Sequence, residues 1–169
     1  IHWRTSRALA PLRPGKSPVA LRLTWRDEAG ATTVLDVTEA GTQKRLAVYL
    51  VRDPQEVPGI VRLGPDALLV GRDELGEILA GQGKRHLKTV LREQSVVAGI
   101  GNAYSDEILH AAKLSPYAQA DSLTATQVGA LHSAIQDVLT EATAGARAAG
   151  PGAIKAEKRS ELRVHGRTG

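Results

Sequence analysis

The sequence has no cysteine, no methionine and no phenylalanine, and its aromatic complement is two tryptophans and three tyrosines. Without cysteine, this stretch of chain holds no disulfide and offers no thiolate as nucleophile or metal ligand. With so few rings, its core has to be built from leucine, valine, isoleucine and alanine. No apolar run approaches the ~20 residues that a membrane helix requires, and no export signal is visible at its start. The chain opens on Ile1 and lacks an initiator residue. We therefore expect a piece of a longer protein, and the absence of cysteine says nothing about compartment or about metal elsewhere in that protein.

What is present is ordinary in amount and uneven in place. The 169 residues are 42% hydrophobic and 24% charged, with a net charge of +4. These values fit one ordinary globular domain or two small ones. Lys84, Arg85, Lys88 and Arg92 stand close together with no acid among them. A second basic group, Lys155, Lys158, Arg159, Arg163 and Arg167 against Glu157 and Glu161, closes the chain. A run of basic residues is often no more than a solvated face. Two of them beside a phosphate-binding turn favour a nucleic-acid partner.

The periodicity predicts an α+β chain. Residues 19–27 alternate, with Val19, Leu21, Leu23 and Trp25 on one side and Ala20, Arg22, Thr24 and Arg26 on the other, which reads as a half-buried strand. A turn at 27–30 leads to a second strand over 32–38, and a third is expected over 45–52 on Leu46, Val48 and Leu50, giving an antiparallel meander or sandwich. Prolines and glycines in 53–65 mark a linker. Short helices follow, one from Asp73 with Leu75, Ile78 and Leu79 inward and one over 87–94 with Leu87, Val90 and Leu91 inward. The next spans 102–113, with Ile108, Leu109 and Ala112 inside. A longer helix is announced by Thr124 and Gln127 as a capping box. Its stripe of Val128, Leu131, Ile135, Val138, Leu139 and Ala142 fades near Gly145. A small-residue loop is expected over 148–152, and the residues after Ile154 lack periodicity.

The most informative segment is Ser95-Val-Val-Ala-Gly-Ile-Gly-Asn-Ala-Tyr-Ser-Asp-Glu-Ile-Leu109. An apolar run enters a turn with glycine at alternate positions, and a helix begins. Gly99 and Gly101 can take positive φ and let another backbone come close, and Asn102 is a good N-cap. Free N–H groups at such a helix start bind phosphate, and Lys88 lies fourteen residues upstream. Asp106 and Glu107 are adjacent and therefore point to different faces, which excludes a paired-carboxylate centre. Glu107 reads as a helix-stabilising charge near the N-terminus. The five histidines show no metal-ligand spacing, and His110 and His132 read as surface or boundary residues.

From Lys88 to Pro116 the chain resembles the helix–two-turn–helix domain of the formamidopyrimidine-DNA glycosylase and endonuclease VIII family. The resemblance rests on Lys88, the small-Gly-x-Gly-Asn turn, Tyr104, Glu107 and the exit at Pro116, all in register. It implies a partial antiparallel β-sandwich over 1–53, a linker over 54–70 and the helical DNA-binding domain over 71–150. A basic tail over 151–169 would lead to a zinc finger outside this sequence. It further implies base-excision repair: removal of oxidised bases, then cleavage at the abasic site through a Schiff base on an N-terminal proline, with a neighbouring glutamate as general acid. None of the family's catalytic groups matches a residue here, so no catalytic residue and no metal ligand is assigned to this chain. The zinc implied is structural and belongs to the finger.

Contacts to DNA carry across residue by residue. Lys88, Gly101, Asn102 and Tyr104 stand in the phosphate-gripping motif. His165 occupies the place of a family tyrosine, with Arg167 in the Gly-Arg pattern. His2 and Arg4 resemble a His-x-Arg near the loop that fills the void left by an extruded base. The chain departs from the oxidised-purine branch at Thr5, where that branch has methionine, and over 39–45, where no aromatic is available and Arg45 is the remaining candidate to insert. The lesion, purine or pyrimidine, is left open. Two other readings stand beside the enzyme: a non-catalytic DNA-binding relative, and an RNA- or ribosome-associated helix–two-turn–helix protein. The resemblance also implies a monomer, acting on double-stranded DNA with oxidised bases or abasic sites in a bacterial cytoplasm near the nucleoid, without a membrane partner.

Overall fold

The computed structural model describes residues 2–5, 19–38, 46–149 and 162–165, and these fall into two compact units, one of the described residues up to 50 with residue 149 and one of residues 51–148 with 162–165. The first unit is a three-stranded antiparallel sheet of β1 (His2–Thr5), β2 (Val19–Arg26) and β3 (Thr32–Thr38) in the order β1-β3-β2. The β2–β3 hairpin turns at Gly30, whose φ of +81° suits glycine. Asp27 closes that turn by accepting from the Ala31 N–H at 2.7 Å through its carboxylate.

Two expectations for this unit are corrected. The predicted third strand over 45–52 is not a strand at any described position. Leu46, Val48, Tyr49 and Leu50 are exposed there, so their alternation marks no half-buried sheet face. The place beside β3 is taken by β1, so the order is not a meander. The second correction concerns the faces of β2. Leu23 and Trp25, on the face expected to be buried, are 46% and 43% exposed. The opposite face carries the buried Val34 and Asp36 of β3, and Arg22 forks onto Asp36 at 2.6 and 2.8 Å. A bidentate ion pair of this kind satisfies a carboxylate that would otherwise be costly to bury. The Arg22 guanidinium is held above its ordinary value chiefly by the hydrogen bond to Asp36.

The second unit is helical: α1 (Pro58–Val61), α2 (Arg72–Ala80), α3 (Leu87–Arg92), α4 (Asn102–Ala111) and α5 (Ala125–Ala149), with short 3-10 turns at Pro54–Glu56 and Ala120–Ser122. Its core is the aliphatic set foreseen: Leu75, Leu79, Leu87, Val90, Leu91, Ile108, Leu109, Leu131, Ile135 and Leu139 are buried together with Val97 and Ile100. Burying such side chains contributes roughly 1.5–3 kcal/mol each before entropy is counted. The α5 cap is the predicted box. The Thr124 N–H donates to Gln127 Oε1 at 2.9 Å, and the Gln127 N–H donates back to Thr124 Oγ1 at 3.3 Å. The helix runs past Gly145 to Ala149, overriding the loop expected from Ala148 onward. Gly150 to Gly152 lie outside the described residues.

Residues 64–67, within the stretch expected to be a linker, are part of the helical unit and are tied to its core. The Gly64 N–H donates to the Gln94 carbonyl, the Ala67 N–H to the Ala98 carbonyl and the Ala98 N–H to the Pro65 carbonyl, each at 2.9 Å. Residues 64–67 therefore run against the approach to the glycine turn.

Candidate nucleic-acid interface

The site is built where three short pieces of chain meet: the first turn of α3, the glycine turn entering α4, and the turn at 162–165. The glycine turn is braced by one side chain. Gln94 accepts from the Gly99 N–H at 2.9 Å through Oε1 and donates through Nε2 to the carbonyls of Ile100 at 2.8 Å and Arg92 at 3.1 Å. Gly99 has a φ of +103°, as expected. Gly101 does not share it. Its backbone is extended, with φ −97° and ψ −179°, and a Cβ there would meet open space.

Gly101, not Asn102, is the N-cap of α4. The Gly101 carbonyl accepts from the Ser105 N–H at 2.9 Å, and no side chain caps this end. Asn102 is already the first helical residue, so its own side chain is one position too late to cap. Both residues are exposed, and the side-chain amide of Asn102 stands beside the start of the helix. This leaves the positive end of the α4 dipole facing solvent.

Lys88 lies on α3, whose first turn is held by Leu87 N–H to Ala118 O at 2.8 Å and Lys88 N–H to Pro116 O at 3.2 Å. Its ammonium does not stand alone. Lys88 Nζ is 2.5 Å from Asp106 Oδ1, and His165 Nδ1 is 2.8 Å from Asp106 Oδ2, all three side chains being part-exposed. One carboxylate on α4 thus ties together two groups that are far apart in sequence. Burial pushes the Asp106 carboxyl up, but the hydrogen bonds from Lys88 and His165 outweigh it and hold the group below its ordinary value.

Glu107 does something the sequence reading missed. It is only 6% exposed, and it accepts three consecutive backbone N–H groups: Arg163 at 2.9 Å on Oε2, then Val164 at 2.8 Å and His165 at 2.9 Å on Oε1. Burial raises its pKa, and the three amides more than reverse that, leaving it below the ordinary value. A helix-end charge effect is therefore not its main role. Nothing in the local pattern around Glu107 announces a partner more than fifty residues away; the only sequence signal was its place in the family motif.

Tyr104 packs part-buried against the hydrophobic core and lines a cleft with Val138 and Ala142 of α5. Its position, third in the helix, turns it toward α5. His2 and Arg4 occupy positions on β1 opposite Asp36 and Val34 of β3. Arg45 and Arg167 lie outside the described residues. His110 is exposed, while His132 is part-buried with Nε2 3.1 Å from the Val70 carbonyl. Among the described residues no group of three acids or histidines could hold a metal ion, and the sequence has no cysteine, so these residues do not fit a thiolate zinc site. Among the described residues, too, no helix is long and apolar enough to cross a membrane.

The formamidopyrimidine-DNA glycosylase H2TH domain model matches residues 63–150, more than half of the chain. The chain belongs to the formamidopyrimidine-DNA glycosylase family. It is similar to an uncharacterized formamidopyrimidine-DNA glycosylase-like protein of Mycobacterium tuberculosis, with 54% identity over 107 residues, 63% of this chain and 67% of that one. It is 38% identical over 133 residues to the formamidopyrimidine-DNA glycosylase of Moorella thermoacetica, covering 74% of this chain and 48% of that protein. The chain thus spans about half the length of that glycosylase. In fold it is similar to the Lactococcus lactis glycosylase solved with FAPY-dG-containing DNA, with a TM-score of 0.68 at 22% identity over 99% of this chain and 60% of that one. That likeness supports the α+β layout of a small antiparallel sheet followed by the helix–two-turn–helix domain.

Proposed function

We propose that this chain is the DNA-gripping part of a base-excision repair glycosylase, which holds a damaged duplex by its phosphates. The observation that carries this is the exposed start of α4 beside Lys88 and His165, inside a domain of this family. Two kinds of donor meet there. The first-turn region and Asn102 supply neutral N–H groups, and Lys88 supplies a point charge with two ammonium protons beyond the one facing Asp106. Such contacts fix a protein on the backbone and carry no base sequence. His2, Arg4, Arg45 and Arg167 are proposed as further contacts, and the expected partner is double-stranded DNA with an oxidised base or an abasic site. In the whole protein the activity would be base removal followed by strand cleavage.

A second reading, a DNA-binding relative without glycosylase chemistry, is favoured by Thr5 and by residues 39–45, which lack the apolar and aromatic side chains suited to fill a gap in the base stack. Fluorescence anisotropy with a duplex carrying an abasic-site analogue tests the common part: binding that weakens steeply with added salt is expected, and absence of binding at low salt contradicts it. Borohydride trapping on an abasic duplex separates the two readings. A covalent adduct formed by the longer protein supports the enzyme, and none supports the binding relative.

A further inference from the structure

Two successive carboxylates of α4 grip the same residue. Glu107 Oε1 takes the His165 backbone N–H at 2.9 Å, and Asp106 Oδ2 takes the His165 ring at Nδ1 at 2.8 Å. His165 is thereby fixed in both its backbone and its imidazole, and Nε2 is the ring's remaining polar atom. The amides of Arg163, Val164 and His165 form a backbone nest of the sort that binds anions. Here the anion is internal. Glu107 fills the nest with both oxygens used and is nearly buried in doing so. These amides are thus spent on Glu107 rather than offered to DNA. What the turn can offer a phosphate is the side chain that it positions.

We infer that Glu107 is a positioning residue whose seat in the nest of Arg163, Val164 and His165 brings His165 to Asp106 beside Lys88 and so completes the phosphate grip. The inference rests on the DNA-binding reading above. It makes the site a composite of α3, α4 and the 162–165 turn, assembled through a carboxylate that itself touches no nucleic acid. The charge is essential to the arrangement. Three N–H donors converge on two oxygens, so a glutamine of the same shape would set its NH2 against at least one of them and leave a buried donor unpaired.

The test is Glu107→Gln in the full chain, read by amide hydrogen exchange and by anisotropy with an abasic-analogue duplex. In the unmodified protein the amides of residues 163–165 should be protected. In the variant they should exchange freely while those of Ile108 and Leu109 in α4 stay protected, and Kd should rise about tenfold, the effect of losing one charge-assisted contact. His165→Ala should weaken binding in the unmodified background and have little further effect in Glu107→Gln, because the two share one route. Amides that stay protected in the variant, an affinity within twofold of the original, or fully additive effects would overturn the inference. If the unmodified protein binds no DNA, the functional reading fails, and the exchange data alone decide whether Glu107 holds the turn. Should Glu107→Gln lose its helical fold, Arg163→Pro deletes one of the three donors from the turn and leaves α4 untouched. Loss of protection at the remaining amides of residues 164 and 165 and a smaller loss of affinity are expected, and unchanged exchange and affinity would again overturn the inference.

Discussion

Gly64→Ala is a sharp perturbation of the scaffold behind the site, because the collision is with backbone. A Cβ at position 64 would sit 2.4 Å from the Val96 carbonyl oxygen, 2.6 Å from its carbonyl carbon and 2.9 Å from the Ser95 oxygen. None of these atoms belongs to a side chain that can rotate away. The Gly64 N–H also donates to the Gln94 carbonyl at 2.9 Å, so relief of the clash moves the chain away from its own hydrogen bond. Overpacking of this kind costs roughly 1–3 kcal/mol, and a lost hydrogen bond adds about 1 kcal/mol. The sum is about 2–4 kcal/mol. In a unit of about this size each kcal/mol moves Tm by roughly 4–8 °C, so a fall of at least about 8 °C is expected in thermal unfolding followed by circular dichroism. Residues 95–98 lead directly into the Gly99 turn, so DNA affinity should fall as well. Gly59→Ala is the control. A Cβ there meets nothing within 4 Å, and Tm should change little. Equal Tm values for Gly64→Ala and the unmodified protein would refute the close approach.

Gln94→Ala removes three hydrogen bonds that brace the glycine turn. Gln94 is exposed, so water recovers part of the loss, and a destabilisation of about 1–2 kcal/mol is expected in urea unfolding; no change would mean that the turn holds itself. Acid should release the 162–165 turn. Both Asp106 and Glu107 are held below their ordinary values of 3.8 and 4.5 by their hydrogen bonds. Their contribution is therefore fully present above those values and is lost as pH falls through the lowered ones. His110, close to Glu107, favours the same ionised form. Amide exchange at residues 163–165, corrected for its intrinsic pH dependence, should lose protection at the acid end, and protection that persists there would contradict the charge requirement.

Most of the helical unit was legible because its signals are local. Leu75, Leu87, Val90, Leu91, Ile108 and Leu131 fall at helical spacing, and Thr124 with Gln127 encodes its own cap. Asn102 was misassigned by one residue, since cap preference alone cannot distinguish a polar cap from a polar first residue after a glycine cap. The sheet was less legible. Period two over residues 45–52 describes a strand only when another strand is there to pair with it. On β2 the apolar alternation suggested an inward face, but Leu23 and Trp25 at its end are exposed, and the sheet's buried residues, Val34 and Asp36, lie on β3 on the opposite face, where Arg22 pairs with Asp36. At the site, Lys88 and Asn102 were visible from the motif. The clasp of Asp106 and Glu107 on residues 163–165 was not, because contacts across more than fifty residues leave no trace in spacing.

The central claim, that the start of α4 and Lys88 hold DNA by its phosphates, is tested most directly by the salt dependence of binding in Lys88→Ala. Log affinity for an abasic-analogue duplex should fall linearly with log salt, and the variant should bind more weakly with a slope shallower by about 0.9, one phosphate contact. An unchanged affinity and an unchanged slope in Lys88→Ala would contradict it.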